Sequence, residues 1–298
     1  MNELYRIVGD KNVKIEEPMS KHTTFRIGGP AQYFVMPETI EELGQIVLLC
    51  QAENVPYFVV GHGSNLLVGD KGMRCVVIQL YSNFAHYKIE GDRVYAQAGV
   101  MLCKLGQVTR DASLAGFEFA AGIPGTLGGA VVMNAGAYGG EMKDIVESVQ
   151  LMDSNGNLIE KSGDEMEFSY RHSIVEDGKY IVVGATLKLA HGDMNLISER
   201  MEELSVARKT KQPLEFPSAG STFKRPQGYF AGKLIMDAGL RGYQVGGAQV
   251  SEKHCGFVIN KGGATAQDVL CLVEDVKKKV YEEFQVELEP EVKMVGDN

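Results

Sequence analysis

Gly116-Phe117-Glu118-Phe119-Ala120-Ala121-Gly122-Ile123-Pro124-Gly125-Thr126-Leu127-Gly128-Gly129-Ala130-Val131-Val132-Met133-Asn134-Ala135-Gly136-Ala137-Tyr138-Gly139-Gly140-Glu141 decides how this chain is read. The stretch holds eight glycines and no charge between Glu118 and Glu141. Its length and neutrality would suit a membrane span, but Pro124, Asn134 and the glycines argue against a lipid-facing helix. Gly122, Gly125, Gly128 and Gly129 instead let backbone amides approach a ligand with no Cβ in the way. That is one way to bind a phosphate or diphosphate without a cationic side chain. A tight turn packed under a sheet would explain the same spacing.

A second glycine loop lies upstream. Thr39-Ile40-Glu41-Glu42 reads as a capping box opening a helix to about Glu53, with Ile40, Leu43, Ile46, Val47 and Cys50 on one face. A buried strand, Tyr57–Val60, follows, then Gly61-His62-Gly63-Ser64-Asn65-Leu66. This order suits a nucleotide-binding α/β unit. The dinucleotide fingerprint fails, because Leu66 stands where a third glycine should open a helix and Leu66–Val68 looks extended. What survives is a loop of free amides with the Ser64 hydroxyl, suited to a diphosphate; a plain β-turn is the alternative.

Further along, strands are expected at Cys75–Leu80, His86–Glu90 and Arg93–Ala98, the last two joined by a tight Gly91-Asp92 turn, and a helix over about Met101–Ser113. Val146–Asp153 and Leu158–Lys161 form a hairpin, and Tyr180–Leu189 is another strand. The middle region thus reads as α+β with a largely antiparallel sheet. Residues 1–20 read as a short helix and a charged connection. An amphipathic helix over Asn195–Arg208 leads through Gln212–Gly220 to a smaller α/β unit, with a helix near Tyr229–Ala238, a strand at His254–Asn260 and a helix from Asp268 to about Phe284.

Composition bounds the function. A hydrophobic content of 44% and a charged content of 23% are ordinary globular values, and 298 residues allow two or three packed units. A net charge of −9 argues against a nucleic-acid partner. The N-terminus lacks a signal-peptide core, and no run of about 18 apolar residues follows. Cys50, Cys75, Cys103, Cys255 and Cys271 are scattered without a Cys-x-x-Cys pair, as expected of reduced thiols in a cytosolic protein. Neither these nor the six histidines suggest a metal site.

Five strings then fit one pattern: Gly61–Asn65; Gly122–Gly125 with Asn134–Gly139; Tyr170-Arg171-His172-Ser173; Ala219-Gly220-Ser221-Thr222-Phe223-Lys224; and Leu288-Glu289-Pro290-Glu291-Val292. Together, over about Thr23 to Val295, they resemble the UDP-N-acetylenolpyruvoylglucosamine reductase (UDP-N-acetylmuramate dehydrogenase) family, in its shorter subtype. The resemblance implies an α+β fold: a two-part FAD-binding region of the vanillyl-alcohol-oxidase type (1–80 and 81–208) and a C-terminal α/β substrate-binding domain (209–298), whose last residues pack back on the first part. It implies NADPH-dependent, FAD-mediated reduction of UDP-N-acetylglucosamine enolpyruvate to UDP-N-acetylmuramate in the cytoplasm, a step in peptidoglycan precursor synthesis and so in cell-wall growth, shape and division. No nucleic acid, membrane insertion or obligate protein partner is implied.

By the same resemblance, Arg171 faces the substrate carboxylate, Glu291 stands beside it with a pKa raised by burial, and Ser221 donates a proton. Gly61, His62, Gly63, Ser64, Asn65, Leu66, Gly122, Ile123, Gly125, Thr126, Gly128, Gly129 and Gly136 are the expected FAD contacts, held non-covalently, with His62 making contact at most. Tyr138, Arg208, Lys211 and Arg225 are the expected substrate contacts, the three cations supplying local charge to a diphosphate or uridine. Competing readings are another FAD oxidoreductase of this fold, a nucleotide-sugar binding protein without activity, and a P-loop phosphotransferase. The last is prompted by Gly228–Lys233, whose glycine spacing is one residue short and where Leu234 replaces the Mg²⁺-binding hydroxyl.

Overall fold

The computed structural model describes residues 2–298. The backbone separates into two compact units, each assembled from segments far apart in the chain.

The first unit comprises Met1–Ile15, Tyr33–His62 and Cys75–Ala207. Its centre is a five-stranded antiparallel sheet in the order Leu158–Ser162, Val146–Asp153, Tyr180–Lys188, Arg93–Gln97, Tyr87–Glu90. Strand alternation sends Val149 and Leu151, Val183, Ala185 and Leu187, and Val94 and Ala96 into the core. Each such valine or leucine side chain contributes about 1.5–3 kcal/mol when fully buried. Register slips between Val146 and Ser148 and between Gln150 and Leu151 mark irregularities where Val146–Asp153 pairs with Tyr180–Lys188. Tyr57–Val60 pairs in parallel with Val76–Gln79. The helix Ile40–Ala52, which comes just before Tyr57–Val60 in the chain, buries Leu43, Ile46, Val47 and Cys50.

The capping box expected there forms only in half. Thr39 Oγ1 accepts the Glu42 amide, but the Glu42 carboxylate takes the amide of Glu38 rather than that of Thr39. Two other elements depart from the sequence reading. Residues 13–18 are a strand, not a connection, and the glycine-rich stretch contains the helix Leu127–Val132. Leu127, Gly128, Ala130 and Val131 of that helix are buried, because its apolar residues pack against the strand Tyr180–Lys188. Gly128 sits on Ala98, where an added Cβ would lie 2.8 Å from the alanine Cβ.

The second unit comprises Glu16–Gln32, Gly63–Arg74 and Arg208–Asn298. Gln244–Val245, Ala248–Val250 and Val258–Asn260 form an antiparallel sheet. The helix Ala266–Phe284 covers it with a buried stripe of Ala266, Val269, Leu272, Val273, Val276 and Val280, at helical spacing. The 244–250 hairpin was not expected, and the strand expected over 254–260 is confined to Val258–Asn260, because Phe257 N–H turns back to His254 C=O. Leu66–Val68 is extended as expected and pairs in parallel with Lys293–Val295. Lys277 and Lys279 are half-buried and pair with Glu274 and Glu283 on their own helix, and Lys278 between them is exposed.

Candidate active site

In the first unit Gly61 lies against Thr126 of the second glycine loop. A Cβ on Gly61 would collide with Thr126 Oγ1, so only glycine lets the chain leave Val60 this close to the second loop. Gly125 has φ +152°, a conformation that side chains disfavour, and Thr126 is 2% exposed. Among the described residues, the amides of Gly125 and Thr126 donate to no protein acceptor; neither do those of His62, Gly63, Ser64 and Asn65. Unpaired amides in buried backbone are costly unless a ligand meets them. A phosphate does so without a cation, so in the first unit the amides of His62, Gly125 and Thr126 fit a phosphate of FAD. Around Gly129 an added Cβ would meet only Thr126 Oγ1, at 3.8 Å, which leaves that helix turn open.

The other expected flavin residues differ in what they can offer. His62 stacks on Tyr81 with ring centroids 5.4 Å apart, and burial pulls its pKa below the ordinary histidine value. Gly122 is exposed beside the half-buried Ile123, which packs on the core. Leu66 is a buried strand residue paired with Lys293. Asn65 spends its carboxamide inside the second unit, donating to Glu291 C=O at 3.1 Å, while its own carbonyl accepts Lys293 N–H at 2.9 Å.

Arg171 belongs to the first unit. It sits at φ +57°, a strained region for a non-glycine residue, on a turn closed by Ser169 and His172. Its guanidinium lies 5.0 Å from the Tyr170 ring, and Nη2 donates to Gly136 C=O at 3.3 Å. Tyr138, at φ +53° and 40% exposed, caps the short hairpin of Gly136–Ala137 and Gly140–Glu141. Asn134, fully buried, ties this hairpin to the arginine turn: Nδ2 donates to Ser169 C=O and to Glu141 Oε2, and Oδ1 accepts Lys143 N–H. Ser173 Oγ anchors the far end of the turn on Val132 C=O. Sequence reasoning quoted Asn134 and Ser173 as parts of strings without giving either this part. The signal was a carboxamide and a hydroxyl embedded in otherwise apolar or glycine-rich runs.

In the second unit, Ser221 is exposed and Glu291 half-buried. Thr222, next to Ser221 in the chain, is 3% exposed. Its amide donates to Gly256 C=O and its carbonyl accepts Glu291 N–H, each at 2.8 Å, while its Oγ1 accepts Val258 N–H at 2.9 Å. Phe223 and Pro290 extend the pairing, and Lys224 bonds Glu289. Ser221 and Glu291 thus ride on paired segments of one unit. Arg208 and Lys211 share the last turn of the helix Met194–Lys211. Arg225 stands in a separate turn, its guanidinium 3.9 Å from the Phe230 ring and its Nε donating to Tyr229 C=O. Lys233, the residue that prompted a P-loop reading, is held by Asp237 one helical turn on, with both oxygens at 2.6 Å.

Residues 31–162 match the family model described as an FAD binding domain, and residues 212–295 match UDP-N-acetylenolpyruvoylglucosamine reductase, C-terminal domain. An alkyldihydroxyacetonephosphate synthase, 16% identical with a TM-score of 0.50, covers 64% of this chain and 41% of its own, a likeness of fold alone. The two matches together define an FAD-binding oxidoreductase with an added C-terminal domain. A UDP-N-acetylenolpyruvoylglucosamine reductase from Clostridioides difficile (strain 630) is 54% identical over 99% of this chain and 97% of its own. One from Lachnoclostridium phytofermentans is 53% identical over the whole chain and 97% of its own length. The crystal structure of the Thermus caldophilus reductase, 40% identical, superimposes with a TM-score of 0.81 over 95% of this chain and 97% of its own. The chain belongs to the UDP-N-acetylenolpyruvoylglucosamine reductase family.

Proposed function

We propose that this protein reduces UDP-N-acetylglucosamine enolpyruvate to UDP-N-acetylmuramate at the expense of NADPH, in the cytoplasm, as a step in peptidoglycan precursor synthesis. The observation that carries the reading is the pairing of the Ser221 and Glu291 segments through Thr222, within a chain of this family. When bound, FAD supplies hydride chemistry, accepting from NADPH and donating to the enol-ether double bond.

The chain's own residues supply the rest. His62–Asn65, Gly125 and Thr126 hold the FAD diphosphate through neutral amides, and the flavin is bound non-covalently. Hydride addition to one carbon of the double bond places negative charge on the other, and the adjoining carboxylate spreads it as an enolate. Arg171 stabilises that enolate with its planar guanidinium. Glu291 meets the same charge through a shared proton, and Ser221 delivers a proton from Oγ to the carbanionic carbon. Arg208, Lys211 and Arg225 hold the diphosphate or uridine, and Tyr138 reaches the sugar. In domain terms, 1–80 and 81–208 bind FAD and 209–298 binds the nucleotide sugar.

The test separates the two halves of the turnover at Ser221. NADPH should bleach the visible flavin band of Ser221→Ala at close to the native rate. Return of the band on adding the enolpyruvyl substrate should be slower by roughly 10²–10⁴-fold, with Ser221→Cys retaining more activity than alanine. Equal slowing of both halves would point to disturbed flavin geometry, and an unimpaired second half would remove Ser221 from the reaction.

A further inference from the structure

Linked through Gly256 to the residue after the proposed proton donor is a partly buried imidazole that the reading above does not use. His254 Nδ1 accepts the Gly256 amide at 3.1 Å. Its ring meets Phe257 edge-on at 5.0 Å, and its Cε1 lies 2.9 Å from where a Cβ on Gly256 would be and 3.2 Å from one on Gly232. Both glycines therefore leave room for the ring, and packing fixes where Nδ1 points. The residue it holds by its amide also reaches the catalytic segment through its carbonyl, since Gly256 C=O accepts Thr222 N–H and Thr222 C=O accepts Glu291 N–H.

We propose that His254 is a positioning residue for Ser221: a neutral imidazole whose Nδ1 fixes the amide of Gly256, the residue whose own carbonyl holds the Thr222 amide and so the hydroxyl one residue before it. The inference rests on the reading of Ser221 as proton donor and adds what holds that donor in place. Accepting at Nδ1 requires that this nitrogen carry no proton, so the ring proton sits on Nε2. Burial lowers the pKa of His254, which keeps the acceptor available at neutral pH. A hydroxyl with little intrinsic acidity depends on alignment, and misplacement of about 1 Å can cost on the order of 10²-fold in rate. Asparagine can place a carbonyl oxygen near the position of Nδ1, whereas leucine fills space and accepts nothing.

The experiment compares flavin-loaded native protein, His254→Leu, His254→Asn and Ser221→Ala. Bleaching by NADPH should stay near the native rate in both His254 variants. The substrate-driven return of the band should slow by roughly tenfold to a hundredfold in His254→Leu and stay within about threefold of native in His254→Asn. In flavin-free protein, amide exchange at Gly256 and Thr222 should quicken in the leucine variant and remain near native in the asparagine variant, a readout independent of turnover. A native second half in His254→Leu beside a slow Ser221→Ala would overturn the positioning role and leave the Ser221 reading intact. An unimpaired Ser221→Ala would remove that reading itself. Should His254→Leu fail to fold, the asparagine variant decides: slowing as severe as that of Ser221→Ala overturns the proposal, and near-native rates with native amide exchange support it.

Discussion

Gly61 shows how little side chain this site tolerates. The sequence made its loop legible as a glycine turn after a buried strand, and Leu66 correctly excluded a dinucleotide fingerprint. That Gly61 abuts Thr126 was not legible, because nothing local records a contact between residues so far apart in the chain. The same holds for Asn65, whose place in a glycine loop gives no sign that its carboxamide bonds the carbonyl of Glu291. Gly61→Ala should force either the buried Thr126 or the loop itself to shift. Overpacking of this kind costs about 1–3 kcal/mol, so FAD affinity should fall by roughly five- to a hundredfold, measured by titrating flavin into stripped protein. Adding Thr126→Ala removes the colliding hydroxyl and should recover part of that loss, since the two positions are in contact. A double variant no better than Gly61→Ala would show that the defect lies elsewhere in the loop.

Elements were legible where a repeating pattern or a local cap announced them and opaque where their partner is distant. The hairpin around Ser154–Asn157 and the helix Leu102–Asp111 needed only alternation, turn residues and periodicity. The strand Lys293–Val295 is three residues long and exists because Leu66–Val68 lies beside it. The helix Leu127–Val132 was hidden because glycine lowers helical propensity while close packing favours it. The helix Ala266–Phe284 is instructive at its first turn. Thr265 and Asp268 form the full capping box there, so the helix begins two residues before the Asp268 start read from sequence. Asp70, distant in sequence, accepts the amides of Ala266 and Gln267 at 2.8 and 3.1 Å. Asp70→Ala should therefore lower stability by about 0.5–2 kcal/mol, read from urea unfolding. Asp268 adds a pH dependence, because hydrogen bonds from the Thr265 and Gly247 amides hold its carboxyl below the ordinary aspartate value. A depressed folded pKa contributes stability fully above the unfolded value of about 3.9 and loses it as pH falls through the folded one. Asp268→Asn should thus be less stable at neutral pH and flatten the acid limb below about pH 4. An unchanged acid limb would mean that Asp268 does not set it.

At the scale of the whole molecule, segments at 16–32 and 63–74 join 208–298 in one unit, an arrangement that no local pattern in a single sequence reveals. Charge, by contrast, was fully legible: a protein of net charge −9 that binds a diphosphate must either concentrate cations or present amides. The unpartnered amides of His62, Gly125 and Thr126 in the first unit, and those of Gly63–Asn65 in the second, each favour amides. Neutral donors attract little counterion, so FAD binding should change little between low and high salt, unlike binding through exposed lysines and arginines. Ligand binding to the folded state stabilises it by about 2.7 kcal/mol at a hundredfold excess over Kd, or about 5–10 °C in midpoint for a protein near this size. FMN, with one phosphate and no adenylate, leaves part of the amide set unmet and should give a much smaller shift at equal concentration. Thermal denaturation with FAD and with FMN, each at low and at high salt, measures both effects together. Equal shifts from the two flavins would show that the amides do not grip a diphosphate, and a strong salt dependence would transfer that part to the cationic side chains. Acid precipitation completes the test, because a non-covalent flavin leaves with the supernatant, whereas colour in the pellet would implicate His62 as its covalent anchor.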